Sequence, residues 1–369
     1  MSHGERIAAV QQIIVEGGLD AILVTNPANR RYLTGFSAED HAADESSGVV
    51  VVTPDRAMLL VSPTNLPWAV AETDTEHVAV EPIDGSLAAS VASRVAADVA
   101  AHFAVEDATT TAALWFELQD LLGQDVTLVR LGDAVDRLRA VKSPEELDYL
   151  REAARLTDEA FQMAVTRFEP GMSERAAADL VREALRDVGS DGEGFETIVA
   201  SGPNAAKPHH RPGARLLQEG EPIIIDMGAR VNGYNGDLTR TVCLGPADER
   251  LVRMYEVVLE AQLAGLSAIR AGVPASEPDL ATREVFASHG LEQYVIHSAG
   301  HGLGLRVHEA PSMRRSTDDT LESGNVVTME PGLYIDGWGG VRIEDVAVVR
   351  ETDPENITSA PKGVESMQL

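Results

Sequence analysis

Cysteine is nearly absent: Cys243 is the only one, so the chain can form neither an internal disulfide nor a thiolate metal cluster. Lysine is almost as scarce, with Lys142, Lys207 and Lys362 the only lysines among 30 basic residues, against 59 acidic ones. The formal charge of −29 argues against nucleic acid and anionic membrane surfaces as partners. Acid excess with so little lysine would suit a salt-rich cytoplasm, but an arginine-favouring genome alone accounts for the scarcity and is the preferred reading. No apolar run approaches the roughly eighteen residues that a spanning helix needs. Met1-Ser2-His3-Gly4-Glu5-Arg6 leads straight into an amphipathic pattern, without the basic region and apolar block of a secretory leader. The expectation is a soluble protein of the cytoplasm.

What is present is a chain of 369 residues with 44% hydrophobic content, enough for two domains with separate cores. The first third alternates helical and strand-like segments. Helical periodicity over 6–15 stops at Gly17-Gly18, and Ala21-Ile22-Leu23-Val24-Thr25 reads as a short strand. Residues 48–52 and 57–61, around Thr53-Pro54-Asp55-Arg56, read as a hairpin. The alanine-rich stretch 87–103 reads as a helix, and Ala112-Ala113-Leu114-Trp115 as a strand. Asn26 to Phe36 is polar enough to approach a ligand and reads equally as a plain loop and short helix. This is an α/β domain without chemistry of its own.

The boundary is expected at 138/139. Just beyond it, Ser143-Pro144-Glu145-Glu146 is a helix start: Ser143 as N-cap, Pro144 at the first helical position and Glu146 completing a capping box. That helix should reach about Phe168, and a second should span 173–188. A further helix pair is expected over 249–270 and 277–288. Each pair leads into strands and a hairpin, so the order of elements implies a duplicated half-domain, although no residue-level repeat is visible.

The first hairpin runs from Ile223-Ile224-Ile225-Asp226 to Asp237-Leu238-Thr239-Arg240-Thr241-Val242. A turn at Asn232-Gly233 sets Asp226 opposite Thr239, with Asp237 on the same face two residues along. The second runs from Val326-Val327-Thr328-Met329-Glu330 through Asp336-Gly337-Trp338-Gly339-Gly340 to Val341-Arg342-Ile343-Glu344-Asp345-Val346. Its midpoint at Gly337 sets Glu330 against Glu344. Carboxylates paired inside apolar strands repel one another unless a cation lies between them, and a divalent metal pair is the usual answer. A nitrogen ligand is available from Ile296-His297-Ser298-Ala299-Gly300-His301-Gly302-Leu303-Gly304. The glycines there lack the third position of a dinucleotide fingerprint, and His308-Glu309 lacks the second histidine of the zinc helix motif.

Asp226 in IIIDMG, Asp237 in DLTRT, His301 in HSAGHGLG, Glu330 in MEPG and Glu344 in VRIED resemble, in order and spacing, the five metal ligands of the prolidase/aminopeptidase P family. The resemblance extends over essentially the whole chain: 29–36 is similar to the family's N-terminal domain, and Val141-Lys142-Ser143-Pro144-Glu145-Glu146 to its entry into the catalytic domain. It implies an α+β architecture: a creatinase/prolidase-like N-terminal α/β domain over 1–138, then a pita-bread catalytic domain over 139–369 with a duplicated helix pair and curved antiparallel sheet.

By the same resemblance Asp226 chelates one ion, His301 and Glu330 the other, and Asp237 and Glu344 bridge the two. A hard-oxygen site of this kind favours Mn²⁺, with Co²⁺, Fe²⁺ or Zn²⁺ as alternatives. The implied reaction is hydrolysis between an N-terminal residue and proline by a metal-bridging hydroxide, with Glu330 as proton shuttle. His209, His297 and His308 match family positions that bind substrate or stabilise the oxyanion, and Arg342 is placed to pair with a ligand carboxylate. His210 and Cys243 read as structural.

A small peptide with proline second is the expected substrate, and a homodimer the expected assembly. Ser312 stands where several dipeptidases of the family carry a carboxylate-binding arginine, which leaves Arg314 or Arg315 as substitutes and longer Xaa-Pro peptides as substrates. Two other readings compete: hydrolysis of a small non-peptide amide, ectoine-derived or creatinase-like, and a non-catalytic binding module. The intact ligand set argues against both creatinase chemistry and the binding module.

Overall fold

A computed structural model describes residues 1–42, 44–95 and 101–369. The chain divides into two compact units, Met1–Arg139 and Ala140–Leu369.

The first unit is built on a six-stranded sheet of β1 (Ala21–Val24), β2 (Gly48–Val52), β3 (Ala57–Val61), β4 (Ala79–Pro82), β5 (His102–Val105) and β6 (Thr127–Arg130), in the order β4-β3-β2-β1-β5-β6. β2 and β3 form the expected antiparallel hairpin, with Val52 opposite Ala57. β1, β5 and β6 run parallel, as do β3 and β4. Helices α1 (His3–Gly17), α2 (Pro27–Thr34), α3 (Leu66–Glu72), α4 (Leu87–Val95), α5 (Ala112–Leu122) and α6 (Ala134–Ala140) complete the α/β pattern. Asn26 caps α2 by accepting from the Ala28 amide.

Two expectations fail here. Ala112-Ala113-Leu114-Trp115 is not a strand but the first turn of α5, because Thr111 caps it by accepting from the Leu114 amide and the helix formers Glu117 to Leu122 extend it. The helix expected over 87–103 is described only to Val95; His102 and Phe103 open the buried strand β5, and 96–100 lie outside the described residues.

The second unit repeats one arrangement twice. Helices α7 (Pro144–Val165) and α8 (Glu174–Asp187) pack together, followed by β7 (Ile198–Ser201), β8 (Ile223–Met227), β9 (Arg230–Val231), β10 (Tyr234–Asn235) and β11 (Leu238–Val242). Helices α9 (Glu249–Ala268) and α10 (Glu277–Ser288) then precede β12 (His301–Gly302), β13 (Glu309–Ser312), β14 (Val326–Met329), β15 (Gly332–Ile335), β16 (Gly339–Arg342), β17 (Asp345–Val348) and β18 (Glu355–Asn356). The Ser143 capping box is present in both directions.

Each helix pair covers one sheet. Phe161, Ala178, Val181 and Leu185 pack on Ile223, Ile225 and Leu238, and Val258, Ala261 and Phe286 share a core with Leu333, Val341 and Ile343. These inward residues alternate with the polar ones that face the site, as the period of two in a strand requires. Among the described residues no helix is long and apolar enough to cross a membrane.

Candidate active site

Turn chemistry places the first carboxylate pair. Asn232 and Gly233 both take positive φ, 46° and 79°, which joins β9 to β10 through two residues. The ladder then sets Thr239 against Asp226, the expected register, and leaves Asp237 just before β11 on the same face. The second hairpin keeps one register through two ladders: Met329 pairs with Asp345, and Gly332 with Arg342. Glu330 and Glu344 therefore stand opposite one another in the gap between the ladders. His301 is brought up by close backbone approach, since a Cβ on Gly300 would run into the Thr328 carbonyl and one on Gly302 into the Ala310 carbonyl.

The ligand atoms of Asp237, His301 and Glu344 all lie within 4.8 Å of one another. The His301 Nε2 is 3.6 Å from Glu330 Oε1 and 3.8 Å from Asp237 Oδ2. Asp226 stands beside them but is engaged by Arg342, whose Nη2 donates to Asp226 Oδ2 at 2.5 Å. Burial raises all four carboxyl groups above their ordinary range, Asp237 and Glu344 furthest. At those two the neighbouring carboxylates add to the effect, whereas Arg342 opposes it at Asp226.

Two buried oxygens, Asp226 Oδ1 and Glu344 Oε1, have no hydrogen-bond partner among the described residues. Orphaned carboxylate oxygens beside an imidazole are a donor set for hard divalent cations, and two such ions would balance four carboxylates. The residues present therefore fit the metals.

Around this centre the remaining sequence-predicted residues take distinct positions. Burial lowers both His297 and His301. His297 is held through Nε2 by the Tyr334 hydroxyl at 2.8 Å and through Nδ1 by the Ser298 carbonyl at 2.7 Å. The His308 ring sits edge-on to His301 at 4.3 Å, and burial, with the neighbouring His301 and His209, pushes its pKa down to about 4. His209 is exposed, close enough for its charge to be felt at Asp226, Glu330 and His308. His210 bonds the Glu174 carboxylate at 2.8 Å, the structural role expected of it. Cys243 is fully buried in the core below α9.

Three residues escaped the sequence reading. Thr239 donates to Glu344 Oε2 at 2.8 Å and accepts from Arg342 Nε at 3.0 Å. Tyr334 joins His297 to Arg342 Nη1, the latter at 3.0 Å. Its signal was parity: Glu330, Tyr334, Arg342 and Glu344 all fall on one face of the hairpin. Glu174 is fully buried and gathers the Ser201 amide and hydroxyl, Asn204, His210 and the Gly213 amide, so it pins the loop that carries His209. No local pattern announces that role.

The chain matches metallopeptidase family M24 over 148–351 and the creatinase/prolidase N-terminal domain over 6–141. It is 34% identical to a peptidase of Bacillus subtilis, across 97% of this chain and 98% of that one. Its structure resembles that of an Xaa-Pro dipeptidase from Bacillus anthracis with a TM-score of 0.93 at 33% identity, over 100% of both chains. An X-Pro aminopeptidase from Thermotoga maritima superposes at a TM-score of 0.87 with 28% identity, covering 98% of this chain and 99% of the other. The site and these matches together make the chain a metallopeptidase of family M24, of the prolidase/aminopeptidase P kind, with a creatinase-type N-terminal domain ahead of a pita-bread catalytic domain.

Proposed function

We propose that the chain hydrolyses the bond between an N-terminal residue and a following proline, using two divalent metal ions held by Asp226, Asp237, His301, Glu330 and Glu344 in the 139–369 domain. The observation that carries this reading is the Asp237, His301 and Glu344 cluster with unsatisfied oxygens on Asp226 and Glu344. When bound, the ions polarise the scissile carbonyl and acidify the attacking water. The oxygen-rich donor set favours Mn²⁺.

The chain's own groups do the rest. Glu330 takes a proton from the attacking water and delivers it to the leaving nitrogen. His308, neutral at physiological pH, donates a hydrogen bond to the developing oxyanion, and His209 closes on the substrate from the exposed side. Arg342 and Tyr334 fix the orientation of Asp226 and His297. A cytoplasmic homodimer completes the proposal, its assembly to be read by light scattering.

The test is metal-stripped protein reloaded with Mn²⁺. It should release proline from an Xaa-Pro dipeptide or the first residue from an Xaa-Pro-Xaa tripeptide. Stoichiometric metal binding without turnover of either would overturn the proposal.

A further inference from the structure

Three residues of the proposed site depend on one short segment. His297 and His301 lie on it, and its Ala299 carbonyl accepts the Glu330 amide at 2.7 Å. The segment has little regular structure of its own, since it is irregular between Tyr294 and His301 and β12, where it ends, is two residues long. Other elements therefore fix its position.

The hold comes from α10. Asp279, in the first turn of that helix, is fully buried. Its Oδ1 accepts the Ala299 amide at 2.8 Å, and its Oδ2 accepts from Arg283 Nε at 2.8 Å, one helical turn further on. Arg283 also reaches past it, with Nη2 donating to the His297 carbonyl at 3.0 Å. One ion pair thus fixes the segment at residues 297 and 299, and the Ala299 peptide carries that register across to Glu330. From the β14 side, the Thr328 hydroxyl accepts the His301 amide at 3.1 Å.

Packing alone does not demand this pair. α10 already buries Phe286 in an apolar core, and a buried ion pair adds little stability beyond what apolar side chains of the same volume would give. What directed, charge-assisted hydrogen bonds supply is orientation. The first half of the catalytic unit holds a parallel in Glu174, which is buried in the first turn of the second helix of its own pair. The two carboxylates differ in what they serve: Glu174 is committed to the loop carrying His209, whereas Asp279 is committed to the segment carrying His301.

We propose that Asp279 and Arg283 are positioning residues for the metal position formed by His301 and Glu330. This rests on the two-metal reading of the site and on no particular peptide. Both residues act through the 297–301 segment and supply no ligand atom themselves.

The test is Mn²⁺ titration of the metal-free protein, followed by calorimetry and electron paramagnetic resonance well below the melting temperature. Wild type should bind two ions. Arg283→Gln and Asp279→Asn should each weaken one of the two binding steps by about ten- to a hundredfold and leave the other nearly unchanged. At two equivalents of Mn²⁺ the spectrum of a coupled pair should then give way to that of a single bound ion. Arg283, 16% exposed, is the milder of the two sites to alter. Arg283→Lys keeps the ion pair but lacks the fork that reaches His297, so it should recover part of the loss. Phe286→Leu, which removes core packing from the same helix, should lower Tm without weakening either step. His210→Asn, which loosens the Glu174 cluster, should likewise spare both ions.

Wild-type affinity for both ions in Arg283→Gln and Asp279→Asn would overturn the proposal. So would an equal loss in Phe286→Leu, which would trace the effect to the stability of α10. Binding of a single ion by wild type would overturn the two-metal reading and this proposal with it. Failure of metal-loaded wild type to cleave either an Xaa-Pro dipeptide or an Xaa-Pro-Xaa tripeptide would overturn the peptidase reading instead, and the titration would still decide the role of Asp279 and Arg283.

Discussion

Thr239 and Glu344 join the two halves of the catalytic unit: the Thr239 hydroxyl donates to Glu344 Oε2 at 2.8 Å, and the Glu344 amide returns a bond of 3.0 Å to the Thr239 carbonyl. One threonine therefore fixes both the backbone and the carboxylate of a proposed bridging ligand. Because its hydroxyl also accepts from Arg342 Nε, it ties Glu344 to the guanidinium that holds Asp226.

Thr239→Val keeps the shape and removes the hydroxyl. Loss of a group that orients a ligand typically weakens metal binding by about ten- to a hundredfold. Calorimetric titration of the metal-free protein with Mn²⁺ should show that loss in Thr239→Val and a much smaller one in Thr239→Ser. Equal affinity in the valine variant would mean that Glu344 orients itself.

Asp237→Asn should separate stability from function. In the metal-free protein burial, and then the neighbouring Glu344, Asp226 and Glu330, disfavours the ionised form of Asp237, so an amide in its place removes the cost of keeping that carboxyl protonated. The variant should melt at a higher temperature than wild type in chelator, yet lose activity and most of the melting-temperature gain that Mn²⁺ gives wild type. A metal-free variant less stable than wild type would contradict the electrostatic argument.

Much of this arrangement was readable because a hairpin's register is symmetric about its turn. Once Asn232-Gly233 and Gly337 are identified, the positions of Asp226, Asp237, Glu330 and Glu344 follow by counting. Thr239, Tyr334 and Glu174 were not readable in the same way, since hydroxyls and a lone glutamate acquire their roles from partners far off in sequence. Ala112 to Trp115 misled because four apolar residues carry no period, and only the Thr111 cap and the residues after Trp115 decide for helix. The segment around Leu87 to Phe103 failed for a related reason: its alanines speak for helix, while His102 to Val105 is recruited as a strand by pairing with β1 and β6.

Glu106 in the N-terminal unit should impose a pH slope on stability. Its carboxylate is buried and accepts from the Thr25 and Asn26 amides and from Asn29, but burial outweighs these and pushes its pKa from 4.5 up to about 7. The native state thus holds a proton that the unfolded state releases. Stability contributed by this group is present below about pH 4.5 and falls as pH rises toward about 7. The full effect is on the order of 3 kcal/mol. Glu106→Gln mimics the protonated form, so the stability difference between variant and wild type should grow across that window in urea titrations. A difference independent of pH would show that the carboxylate is ionised throughout.

The Lys142–Glu309 pair supplies the final prediction. Both side chains are all but inaccessible, and Glu309 is bonded by Lys142 on one oxygen and by the Arg306 amide on the other. Lys142→Met leaves a buried carboxylate without its counter-charge, which typically costs about 3–5 kcal/mol. Glu309→Gln in the same chain removes the stranded charge while keeping an oxygen for the Arg306 amide, so the double variant should regain most of the loss. A double-mutant cycle by chemical denaturation measures the coupling directly. The turn carrying Arg306 and His308 hangs from this pair, so Lys142→Met should also lower kcat/KM for an Xaa-Pro dipeptide at temperatures well below its melting point. Additive stability losses in the cycle would mean that the pair packs without anchoring the turn.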